Sequence, residues 1–214
     1  MSHGLKLEAF GCRSVQEVNL LVAPGQVVGL TGPSGSGKSL FLRALADLDP
    51  HEGRMTLDGV AAETVPAHQW RRQVGLLPAE SAWWFDIVGP HCDSWPLDAL
   101  QYLGFSADVL GWPVSRLSSG ERQRLSLLRL LARSPRILLL DEPTANLDPR
   151  NTDRVEQLLQ RFKTKYQPGI VWVGHDMAQL KRCCDPIYVL RERRFLPWDA
   201  RYQELLDPIG QVNA

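Results

Sequence analysis

The chain has 214 residues, 44% of them hydrophobic and 22% charged, proportions that suit one ordinary α/β domain with a small satellite subdomain. Its 24 basic residues balance 24 acidic ones, so no overall field exists to gather nucleic acid or an anionic membrane, and no nucleic-acid partner is expected. No apolar run approaches a bilayer span, no secretory signal is visible, and Cys12, Cys92, Cys183 and Cys184 form no C-x-x-C pair, which reads as reduced thiols.

Residues 5–10, 18–22 and 54–57 read as a small antiparallel β patch. The runs 18–22, 27–31, 74–78, 137–141 and 170–173 are apolar at consecutive positions, the pattern of strands buried on both faces. Between them, residues 38–48, 121–133, 150–166 and 177–184 carry helical periodicity. This alternation predicts a mainly parallel sheet with helices on its faces. Composition shifts between residues 80 and 117. Five of the seven tryptophans stand at Trp70, Trp83, Trp84, Trp95 and Trp112, and Pro90, Pro96 and Pro113 allow only short helices such as 96–104. The expected division is a core of residues 1–79 and 117–214 with a compact, mainly helical insert at 80–116. His91, beside Cys92, has no second ligand pair at a metal-like spacing. The stretch 198–206 is expected to close the chain without a regulatory domain.

Three groups of residues carry chemistry. Gly32-Pro33-Ser34-Gly35-Ser36-Gly37-Lys38-Ser39 matches GxxxxGK[ST] after a buried strand and before a helix. The glycines let backbone N–H groups curl into a nest for phosphate oxygens, and the helix start adds its dipole. Lys38 supplies charge to the outer phosphates, and the Ser39 hydroxyl can ligate Mg2+. Residues 136–142 form a buried strand ending in two acids. Asp141 can reach the metal shell, while Glu142 leaves in another direction and can polarise a water. Ser118 and Glu121 form an S-x-x-E capping box, so a helix starts there with free N–H groups.

In order and spacing these groups resemble the ATP-binding-cassette ATPases, over nearly the whole chain. The family's LSGGQ signature stands here as Leu117-Ser118-Ser119-Gly120-Glu121. Asn146-Leu147-Asp148 resembles its D-loop, and His175 its switch histidine. The resemblance implies a P-loop fold with a helical signature subdomain, and ATP and Mg2+ as ligands. It implies that the signature of one subunit faces the γ-phosphate of ATP held by a second. It places His175 at that phosphate, where it helps hold the attacking water. Phe10 stands where the family has an adenine-stacking aromatic; the other reading is a core phenylalanine. Two departures stand out: Ala79, followed by Glu80, replaces the family's Gln, and Ser119 replaces the first signature glycine.

The family either drives a separate membrane permease or works as a soluble remodelling factor. Soluble members carry a second cassette, a coiled coil or zinc inserts, and none is visible. Transport is therefore expected, with the protein a dimer held on the cytoplasmic face of the membrane by its permease. Trp83-Trp84-Phe85 supports this. Three consecutive aromatics cannot all face a core, so Glu80, Trp83 and Trp84 are candidate permease contacts.

Overall fold

The computed structural model describes residues 4–199; residues 200–206 of the expected closing stretch lie outside them. Two sheets share the chain. Strands β1 (Leu5–Cys12), β2 (Val15–Val22), β4 (His51–Leu57) and β5 (Val60–Ala61) form an antiparallel sheet in the order β2-β1-β4-β5. Strands β3 (Val27–Thr31), β6 (Val74–Leu77), β7 (Ile137–Asp141), β8 (Gly169–Val173), β9 (Ile187–Arg191) and β10 (Arg194–Pro197) form the second, ordered β10-β9-β3-β8-β7-β6. All its neighbouring pairs are parallel except the β9–β10 hairpin. The helices are α1 (Lys38–Leu45), α2 (Ala67–Gln73), α3 (Leu97–Tyr102), α4 (Ser119–Leu131), α5 (Pro149–Tyr166) and α6 (Met177–Cys183).

The larger sheet explains the consecutive apolar runs. Successive strand side chains point to opposite faces. Leu139, Val171 and Val173 enter one core with Phe41, Leu42, Leu45 and the antiparallel sheet. Leu138, Leu140, Ile170 and Trp172 enter a second core with Leu125, Leu128, Leu159 and Leu180. Both faces are covered, so β7 and β8 have no polar side until Asp141. The run 18–22 differs from expectation. It belongs to β2, where burial alternates and Glu17, Asn19 and Leu21 are exposed, because an antiparallel sheet packs on one face only.

The expected 38–48 helix stops at Leu45, where Asp47 turns left-handed at φ 54° and Leu48 is left exposed. Residues 80–118 hold only α3 and three short 3-10 turns. Their buried side chains, Val88, Trp95, Leu100, Leu103 and Phe105, join the core of α4 and α5.

Candidate active site

The phosphate loop leaves the carboxyl end of β3 and re-enters as α1. Its backbone shape is one that only glycine allows at two points. Gly32 has φ 144°, and an added Cβ would stand 2.4 Å from the Leu190 carbonyl oxygen. Gly37 has φ 96°, and its Cβ would meet that of Ser14 at 2.2 Å. The loop is thus wedged between β9 and the β1–β2 hairpin. Buried Lys38 donates from Nζ to the carbonyl oxygens of Gly32 and Pro33, at 2.9 and 3.0 Å. Burial lowers its pKa, and the charges of Glu142 and Asp141 oppose that shift. The ammonium is therefore held where phosphate oxygens can replace two carbonyls as acceptors.

Asp141, 5% exposed, ends β7. Burial pushes its carboxyl above the usual range, while hydrogen bonds from the Ser39 hydroxyl and the Ala79 N–H work against that rise. Ser39 and Asp141 are thus brought together as expected. They offer a hydroxyl and a carboxylate, hard oxygen donors that fit Mg2+, which commonly keeps several waters. Among the described residues no three His, Cys, Asp or Glu converge, so the ion's other ligands would be water and phosphate.

Glu142 follows with φ 50° and donates its N–H to the Val173 carbonyl at 3.1 Å. That turn carries its carboxylate to His175, whose Nε2 lies 2.8 Å from Oε1. Both are partly exposed.

At α4 the capping box forms: Ser118 N–H donates to Glu121 at 2.8 Å, and Glu121 N–H to Ser118 Oγ at 3.3 Å. The Ser118 N–H holds the Glu121 carboxyl below its ordinary pKa. The helix end adjoins the D-loop, where a Cβ on Gly120 would lie 3.0 Å from Leu147 Cδ2 and 3.3 Å from the Asn146 oxygen. Asp148 caps α5, accepting from Asn151 N–H at 2.9 Å.

Phe10 is a correction. Its ring is wholly buried, edge-on to Phe41 at 5.9 Å and stacked on His51 at 5.2 Å. Simple alternation puts Phe10 outward with Lys6 and Glu8. A bulge between Leu7 and Phe10, with Ala9 at φ 46°, reverses the face. A ring covered on all sides offers no platform for a base.

A family model described as ABC transporter matches residues 15–145. The chain belongs to the ABC transporter family. Among relatives, protein STAR1 of Oryza sativa subsp. japonica is 40% identical over 196 residues, which cover 86% of this chain and 57% of that one. The aliphatic sulfonates import ATP-binding protein SsuB 3 of Nocardia farcinica is 36% identical over 190 residues, covering 87% and 74%. The methionine import ATP-binding protein MetN 1 of Paraburkholderia xenovorans is 32% identical over 222 residues, covering 94% and 63%. The chain therefore spans little more than half the length of some of these relatives. A bacterial Atm1-family ABC exporter solved with ATP bound shares the fold, with a TM-score of 0.80 at 24% identity over 95% of this chain and 40% of that one.

In this ABC cassette the family's Gln position is Ala79, which reaches the site by its backbone alone. Ala79 and Glu80 are both exposed. Next comes a knuckle in which Trp84 is 60% and Phe85 48% exposed. Trp83 is half-buried, with Arg129 over its ring. Buried His91 organises this loop, a role the sequence did not suggest. Its Nε2 accepts from Trp84 and Phe85 N–H, each at 3.0 Å, and its Nδ1 lies 3.0 Å from the Ile87 oxygen. Histidine among aromatics was the available signal, and no spacing rule converts that into a loop clamp. Sequence reasoning also missed Gln179 and Thr144, hydrogen-bonded at 3.0 Å behind the Glu142 turn.

Proposed function

We propose that this chain is the energy-coupling ATPase of a membrane transporter, working as two cassettes against permease subunits on separate chains. The convergence of Lys38, the Ser39–Asp141 pair and the Glu142–His175 pair at the carboxyl ends of β3, β7 and β8 carries this reading. Lys38 exchanges the Gly32 and Pro33 carbonyls for outer phosphate oxygens. Ser39 and Asp141 would hold Mg2+, which when bound would neutralise charge developing on the transferred phosphoryl group. Glu142 accepts the proton of the attacking water, and His175 Nε2 holds the carboxylate in place. Asn146, Leu147 and Gly120 pack together, so the D-loop sets the angle at which Leu117–Glu121 meet the second subunit's ATP.

The exposed knuckle with Glu80, Trp84 and Phe85 is the surface offered to the permease. In this reading residues 80–116 form the arm that carries the signature. Docking there places the protein on the cytoplasmic face of the membrane. No helix among the described residues is long and apolar enough to cross a membrane. The relatives named for import support an importing direction.

Glu142→Gln keeps size and polarity and removes the base. Hydrolysis is expected to fall roughly 10²–10⁴-fold, while Mg-ATP still raises the melting temperature. Turnover at the wild-type rate would remove Glu142 from the mechanism.

A further inference from the structure

The two members of the hydrolytic pair come from different segments. Glu142 sits in the turn after β7, and His175 lies between β8 and α6, just before the Asp176 cap. Beyond the backbone bond from the Glu142 N–H to the Val173 carbonyl at 3.1 Å, they meet in one side-chain contact, between groups 33% and 49% exposed. Such a bond contributes little in water and cannot by itself hold two loops in register.

A second, buried tie joins the same two loops. Gln179, 4% exposed, sits in the first turn of α6, and its N–H donates to the Asp176 cap at 3.1 Å. Its Oε1 accepts from the Thr144 hydroxyl, two residues beyond Glu142, at 3.0 Å. Its Nε2 donates to Glu156 Oε1 on α5 at 2.7 Å. Glu156 in turn accepts from Arg182 Nε and Nη2, at 2.8 and 2.6 Å. Burial pushes the Glu156 carboxyl up, but the hydrogen bonds from Arg182 and Gln179 outweigh it and hold the carboxyl below its ordinary pKa. The Cys183 thiol beside it is pushed up to about 11 by burial and so stays neutral.

We infer that Gln179 is a positioning residue for hydrolysis, locking the turn that carries Glu142 to the helix start that carries His175. The inference rests on reading Glu142 and His175 as the hydrolytic pair. An amide is suited to this place because it accepts from one side and donates to the other in a fixed plane. An apolar side chain leaves Thr144 and Glu156 unpaired in a buried site. A carboxylate keeps the acceptor for Thr144 but sets a second negative charge against Glu156. Arg182 brings a compensating positive charge to Glu156, Lys163 acts on the adjoining Cys183, and Asp176 adds a further negative charge near Arg182.

The test is steady-state ATPase kinetics on the full chain, with Glu142→Gln run alongside. Gln179→Leu is expected to lower kcat at least about tenfold, toward the ~10²-fold that a misplacement near 1 Å can cost. Its KM for ATP should stay within about threefold, since the phosphate loop is untouched. Gln179→Glu should lose activity progressively as pH rises, as the two carboxylates give up a shared proton. Exchanging the groups, Gln179→Glu with Glu156→Gln, should restore activity and remove that pH dependence. The exchange also guards against misfolding, because it returns one amide and one carboxylate to the buried link and leaves an amide oxygen at residue 156 to accept from Arg182 Nε. Wild-type kcat in Gln179→Leu beside an inactive Glu142→Gln would overturn the positioning role alone. An exchange variant no better than Gln179→Glu would do the same. An active Glu142→Gln would instead overturn the underlying assignment of the pair.

Discussion

The phosphate loop and the signature turn both lead into a helix start whose dipole suits an anion, yet they are built by opposite means. The loop is a backbone conformation wedged into its surroundings, with the Leu190 carbonyl against Gly32 and Ser14 against Gly37. The signature is an ordinary capped helix start, closed by Ser118 and Glu121, where a Cβ on its glycine would press first on the flexible end of Leu147 and more loosely on the Asn146 carbonyl oxygen. A nest that must match three phosphates needs fixed geometry before the ligand arrives. A helix end proposed to meet the phosphate of another subunit would need reach and an open approach.

Gly37→Ala against Gly120→Ala breaks this comparison most sharply. At Gly37 the new Cβ meets both a left-handed backbone and Ser14, so a loss of roughly 1–3 kcal/mol is expected, together with loss of ATP binding. At Gly120 the backbone is helical and Leu147 can give way. That variant should melt no lower than wild type, since alanine favours a helix over glycine by roughly 0.5–1 kcal/mol. Differential scanning calorimetry reads both, and equal losses would dissolve the distinction. Ser118→Ala is the next largest. Losing the cap should cost about 1 kcal/mol, near 2–4 °C in melting temperature for a chain of this size, with the ATP affinity of the isolated chain unchanged.

The smallest effect concerns Asp141. Its folded-state pKa is raised, chiefly by burial, so the folded state holds this proton more tightly than the unfolded chain does. Stability therefore falls as pH climbs from the unfolded toward the folded pKa, and stays lower above it. Asp141→Asn should melt higher than wild type at neutral pH without nucleotide, and the gain should vanish in acid. A gain that persists below pH 3 would mean that charge burial is not its origin.

How much of this was legible follows the same divide. The loop could be read from sequence because its glycines answer to local backbone demands, and β7 and β8 because both faces are buried. Phe10 was set against adenine by its family position alone; a bulge at Ala9 turns its side chain into the core, the other reading, and a position in a motif does not record such a bulge. Strands β9 and β10 went unread because Ile187–Arg191 is only half-buried near the sheet edge. The Gln179 link was invisible because it joins residues 35 positions apart, 23 positions from its acid. Glu142 and His175 were each assigned to the attacking water on separate grounds; that they touch, at 2.8 Å, needed the fold.

The central claim is that the phosphate loop of one copy is completed by the signature of another. Lys38→Ala removes the cation of the nest. Ser119→Glu places a carboxylate at an exposed position of the α4 start, where it suits the helix dipole but repels phosphate. Each variant alone should lack ATPase activity while remaining folded. Mixed in equal amounts, they form pairs with one intact composite site, and activity should return to a substantial fraction of wild type. No recovery, with mixed pairs demonstrated by differently tagged chains, would mean that the site is complete within a single chain.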